Sequence, residues 1–216
     1  MDTFQVSLNK IGGATSVFFG VYFFLQEYIH YIFPFPISKS PLLLSKYVSF
    51  LHGLFVAVCS TLFLLDFLSF ELWNQLQYFI VGYCIYDTIL SFGKTELYIR
   101  MPGCMPLHHV LLAMFSFFLF PYHPVEVSIG YLAEWTNPLM HACYHMLHTP
   151  HKKYTTLLCV LKVCLIFTFF WLRVINFTYL LILAISTRRY IGILGMLPLT
   201  IMNVWWFIKI CYLARA

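Results

Sequence analysis

The stretch Leu157–Ile185 reads LLCVLKVCLIFTFFWLRVINFTYLLILAI, with Lys162 and Arg173 as its only charged residues. An apolar run of this length exceeds the roughly 20 residues that a helix needs to cross the hydrocarbon core of a bilayer, and it is too long for a buried helix of a soluble domain. Working outward, similar runs cover Ile11–Phe33, Tyr47–Leu68, Leu76–Phe92, Met105–Phe120, Val125–Leu147 and Ile191–Leu213, which with the first make seven candidate spans. Composition agrees: 61% of the 216 residues are hydrophobic and 10% are charged, against about 25% charged in soluble domains. Seven crossings use up the length, so the expectation is an all-α integral membrane protein with a single domain over residues 1–216.

Short connectors punctuate the runs, among them Phe33-Pro34-Phe35-Pro36, Met101-Pro102-Gly103 and Pro121 with Pro124. The Val125–Leu147 segment is the least apolar, because it carries Glu126, Glu134, Asn137 and the histidines His141 and His145. Without it, everything downstream would invert. Lys39, Lys46, Lys94, Arg100, Lys152, Lys153 and Arg215 fall on one side of the seven-span topology and Lys10, Arg188 and Arg189 on the other, which puts the carboxyl terminus in the cytosol. The net charge of +5 is scattered through connectors and forms no patch suited to nucleic acid. The run from Ile11 is longer than a signal-peptide core and reads as a retained span. Seven cysteines without a Cys-x-x-Cys pair read as free thiols, and the Asn176-Phe-Thr178 sequon is buried in an apolar helix out of reach of glycosylation.

Ionisable groups at membrane depth cost about 2.5–3.5 kcal/mol each on insertion scales, so each needs a partner, a wet cavity or a function. Four of them, His52, Asp87, His108 and His109, lie toward the cytosolic ends of three spans. In the fifth, Glu134, Pro138, His141, His145 and His148 recur at steps of four and three, which places them on one helical stripe. Convergence of these groups on a polar-floored cavity open to one leaflet is expected. Arg173, deep in the sixth span, should pair with Asp87 or Glu134 or else snorkel. The plain alternatives are that His52 is a satisfied packing residue, that His148 and His151 are interfacial, that Trp205-Trp206 is belt or packing, and that Pro138 is a kink.

The ordered segments Phe50-Leu51-His52-Gly53, Gly82-Tyr83-Cys84-Ile85-Tyr86-Asp87, Leu107-His108-His109-Val110, Glu134-Trp135-Thr136-Asn137-Pro138, Phe169-Phe170-Trp171-Leu172-Arg173-Val174 and Asn203-Val204-Trp205-Trp206-Phe207 resemble TLC-domain membrane proteins over nearly the whole chain. The resemblance implies a ring of helices around a central cavity open to lipid, in the endoplasmic reticulum or a related endomembrane, with a membrane lipid or fatty-acyl chain as ligand. In ceramide synthases, the best-understood branch, a paired histidine like His108-His109 precedes a His-Asp segment and serves acyl transfer from acyl-CoA. Here Glu134-Trp135-Thr136-Asn137 stands in that second place, which favours the branch tied to membrane lipid composition.

Three functions compete. The first is lipid handling without catalysis, with an acyl chain or sterol in the cavity and its head group held by His108, Asp87 and Glu134, while His52, Asn137, His141, His145 and Arg173 line the site. The second is an acyltransferase, in which His109 or His108 acts as nucleophile or base, Asp87 or Glu134 orients the imidazole, and acyl-CoA is the co-substrate. The third is a di-metal lipid oxidase on His108, His109, His141, His145, His148 and His151, although that set lacks a further doubled histidine cluster, so no metal or other cofactor is expected. A transporter ranks last, because no inverted pair of broken half-helices is visible.

Overall fold

The computed structural model describes residues 2–32, 41–93, 104–147 and 155–214. Lys39, Lys94, Arg100, His148, His151, Lys152, Lys153 and Arg215 lie outside the described residues, and so does the side chain of His145. Every regular element among the described residues is helical: α1 (Asp2–Ile32), α2 (Pro41–Leu64), α3 (Phe70–Gly93), α4 (Cys104–Met114), α5 (Pro124–Tyr131), α6 (Thr136–Leu147), α7 (Thr155–Phe169), α8 (Asn176–Ser186) and α9 (Tyr190–Ala214). A π-turn at Phe115–Leu119 extends α4, a 3-10 turn at Leu132–Trp135 joins α5 to α6, and a second π-turn at Phe170–Ile175 joins α7 to α8. Among the described residues these make seven helical rods, where seven runs were expected. Four stretches are long and apolar enough to cross a membrane: Val6–Tyr28, Leu44–Leu64, Thr156–Ser186 and Tyr190–Ala214.

Most helices start earlier than hydropathy suggests, as at Pro41 and Phe70, because residues beside an apolar run still satisfy their backbone as helix, while α2 ends at Leu64, four residues short of the expected Leu68. Pro138 occupies the first turn of α6, where a missing N–H costs little, so the change of helix type lies in the preceding 3-10 turn. The six cysteines with described side chains are free thiols.

The chain divides into two compact units, Met1–His52 with Ser69–Tyr122, and Gly53–Leu68 with His123–Ala216. In the first, α1 lies along α3. Ser7 meets Tyr78, Lys10 donates to Gln75, Ala14 faces Gly82, and Phe18 and Tyr22 meet Tyr83 and Tyr86. From Ser7 with Tyr78 through Ala14 with Gly82 to Tyr22 with Tyr86 the numbers rise together, the long Lys10 side chain alone reaching back to Gln75, so the two helices run parallel. A Cβ on Gly82 would lie 2.6 Å from Ala14 Cβ and 2.9 Å from the Thr15 nitrogen. Gly82→Val should therefore force the helices apart and destabilise the protein by about 1–3 kcal/mol. Reversible unfolding in mixed micelles measures this, and native stability in the variant would contradict the close approach.

The second unit is built from antiparallel neighbours. Along α8 and α9 the paired numbers fall as they rise on the other side: Thr200 Oγ1 donates to Phe177 O at 3.3 Å, and the Phe207 ring lies 5.4 Å from Phe170. Cys143, Leu165 and Phe169 form an apolar core joined by Leu139, Met140, Leu161, Trp206 and Phe207. Trp206 is thus packing, whereas the half-exposed Trp205 carries Lys209 Nζ 3.8 Å above its ring.

Candidate functional sites

His52, Asp87, His108 and His109 belong to the first unit, and Glu134, Asn137, His141, His145 and Arg173 to the second. Each unit encloses its own polar cluster.

In the first unit, Tyr83, Tyr86 and Asp87 share a face of α3 because they are three and four residues apart. The Tyr83 ring organises the cluster. His52 of α2 stacks on it at 3.6 Å with an interplanar angle of 11°, Phe18 of α1 meets it edge-on, and His109 of α4 meets it edge-on at 5.7 Å. Its hydroxyl donates to Ser49 Oγ at 2.8 Å. On the far side of His109, Nδ1 lies 3.4 Å from Asp87 Oδ2, within ion-pair range but off the direction of a hydrogen bond. Lys46 acts electrostatically on both Asp87 and His109. The His108 ring is 5.5 Å from that of His109, and both side chains are buried.

Three atoms of this cluster are sealed from solvent without a hydrogen-bond partner: His52 Nε2, His109 Nδ1 and Tyr86 Oη. Buried polar atoms in a folded protein are normally satisfied, because leaving one unmade costs about 1–3 kcal/mol. His109 Nδ1 has the Asp87 carboxylate beside it, whereas His52 Nε2 and Tyr86 Oη have no such neighbour, and these two orphans close to Tyr83 mark a place for a hydrogen-bonding group. Chemically, the cluster can donate, accept and hold a proton on an imidazole oriented by a carboxylate.

The second cluster is closed on itself. Arg173, carried by the π-turn, donates from Nε to Thr136 Oγ1 at 2.7 Å, and from Nη2 to Asn137 Oδ1 at 3.0 Å and to Glu134 Oε1 at 3.5 Å. Asn137 Nδ2 donates in turn to Glu134 Oε2, so the amide bridges cation and carboxylate. Phe169 lies under the guanidinium. A Cβ on Gly53 would fall 2.7 Å from Asn137 Nδ2, so the glycine leaves room for the bridge. Arg173 has thus taken the partner available within its own unit, Glu134. His141 is half-buried on α6. Among the described residues, no three His, Cys, Asp or Glu groups are placed to hold a metal ion.

Sequence reasoning passed over Tyr83 and Tyr86 as site residues and treated Lys46 as a topology signal alone. Their trace was the Tyr83-x-x-Tyr86-Asp87 spacing, an acid and two phenols on one stripe. It also passed over Thr136 as a partner of Arg173, and Glu126, which accepts from Arg189 Nη1 at 2.7 Å at the turn before α9. Searched against family models, curated proteins and solved structures, the chain matches none.

Proposed function

We propose that the chain is a multi-pass protein with one TLC-like domain, crossing an endomembrane such as the endoplasmic reticulum seven times as a ring of helices, with its carboxyl terminus in the cytosol. Its role is lipid handling. The Asp87–His109 pair with His52 and Tyr86 holds the polar end of an acyl lipid or sterol whose apolar body lies among the Phe, Leu and Tyr side chains of an intramembrane cavity. The carrying observation is the pair of sealed atoms without a hydrogen-bond partner, His52 Nε2 and Tyr86 Oη, next to the His109–Asp87 contact. Four long apolar helices support the membrane setting. The closed Glu134–Asn137–Arg173 network supports a division of labour in which the second cluster holds helices together, since it leaves its own charges paired.

A second reading, acyl transfer from acyl-CoA, draws on the same contact, because a carboxylate beside an imidazole fixes its tautomer and raises its basicity. One experiment separates the two. Mass spectrometry of lipids retained by detergent-purified protein should find one lipid class near stoichiometric amount, and added acyl-CoA should be recovered unchanged. Retention of nothing beyond bulk membrane lipid would sink lipid handling at this site. Release of CoA with formation of an acylated lipid would replace it with the transferase.

A further inference from the structure

Two of the contacts that hold Tyr83 come from α2. Ser45, Ser49 and His52 stand four and three residues apart, so they share one stripe of that helix. Ser49 gives its single hydroxyl proton to Ser45 O at 2.9 Å, which leaves Oγ as an acceptor, and Tyr83 Oη donates to it at 2.8 Å. One turn on, the His52 imidazole lies flat on the same phenol at 3.6 Å. Oxygen and ring are thus gripped by a single stripe, and Phe18 of α1 closes a third side at 5.4 Å. Against the ring so held, His109 stands at 85°.

We propose that Tyr83 is a positioning residue for His109 and that Ser49 sets it, so that a hydroxyl on α2 governs the imidazole on α4 through the phenol of α3. The proposal rests on the reading of Asp87 and His109 as the contact to the lipid head. The phenol oxygen has its partner on α2, so its part is to hold the ring. That ring matters to His109 because aromatic pairs have a preferred angle, and the edge-on arrangement limits how the imidazole tilts. With Nδ1 3.4 Å from Asp87 Oδ2 and off the direction of a hydrogen bond, a small tilt decides whether that bond is made. Asp87 lies one turn along α3 from Tyr83, so the two groups that bracket His109 are carried by one helix. Releasing the phenol from Ser49 frees one side of the bracket while the other stays.

The test uses the full chain in phosphatidylcholine nanodiscs with isotope-labelled histidine, read by nuclear magnetic resonance, together with the lipid retained per mole of protein. His109→Phe assigns the ring signals of His109. Ser49→Ala and Tyr83→Phe each remove the same hydrogen bond and leave every ring in place. Both should shift the His109 ring nitrogens, and the midpoint of their pH titration, in the same direction, and should lower lipid retention about threefold, as the loss of one hydrogen bond implies. The double variant should lose no more than either single one. Ser49→Thr keeps the hydroxyl and should restore both readouts. Variants that lose stability while the His109 signals and titration stay native mean that Tyr83 serves packing only, which overturns the proposal. Additive losses overturn it equally, because Ser49 and Tyr83 would then act by separate routes. Should the native protein retain no lipid, lipid handling fails, and the His109 titration by itself decides the positioning role.

Discussion

Arg173→Met should lower the stability of the protein by about 3–5 kcal/mol, because it strands a buried carboxylate that has lost its cation. The Glu134 and Arg173 side chains are 7% and 4% exposed, so water cannot take over the missing partner. The loss extends beyond the pair: Thr136 Oγ1 and Asn137 Oδ1 both lose the donor that satisfies them. Removing both charges is a different matter. Buried ion pairs replaced together by apolar groups of similar volume are often neutral or stabilising, since the desolvation of two ions is avoided. The double variant Arg173→Met/Glu134→Leu should therefore recover most of the lost stability, with a strongly non-additive cycle. Reversible unfolding in mixed micelles reads both values. A loss below about 1 kcal/mol in Arg173→Met would show that the two groups do not depend on each other, and would remove the basis for assigning this cluster to structure.

The contrast between the two clusters explains which parts of the molecule were legible beforehand. Seven rods could be read because apolar runs of sufficient length leave the backbone no choice but to bond within itself. Their internal irregularities could not. Phe170–Ile175 contains no proline or glycine to announce a π-turn, and what accompanies the turn is distant in sequence, namely Arg173 bonded to Thr136, Asn137 and Glu134. The 3-10 turn at Leu132–Trp135 was signalled more openly, by Pro138 shortly after it. Among the candidate site residues, the rule that charge does not belong in an apolar run picked out Asp87, His109, Glu134 and Arg173. The same rule is blind to phenols. Fifteen tyrosines and 23 phenylalanines leave no statistical mark on Tyr83 or Tyr86, and only the fold shows one ring touching two imidazoles.

The remaining expectation concerns how Asp87 and His109 work together. With Oδ2 only 3.4 Å from Nδ1, a small rotation of either side chain makes a charge-assisted hydrogen bond, and such bonds often tighten only when the ligand is present. Once made, that bond keeps the proton on Nδ1 and presents Nε2 as an acceptor toward the bound head group. Asp87→Leu should then weaken lipid retention about tenfold or more, since a hydrogen bond to a charged group contributes about 1.5–3 kcal/mol and each 1.4 kcal/mol is tenfold in affinity. Asp87→Asn keeps an acceptor but loses the charge, so it should fall between Asp87→Leu and the native protein. That intermediate rank separates positioning from packing: a purely structural Asp87 would shift unfolding and lipid affinity together, whereas a positioning residue shifts affinity with little change in stability. His109→Phe supplies the other side of the cycle. If Asp87 acts through His109, adding Asp87→Leu to His109→Phe should cost little further affinity. Full additivity of the two losses, measured by retained lipid per mole of protein, would mean that the carboxylate and the imidazole serve the ligand independently.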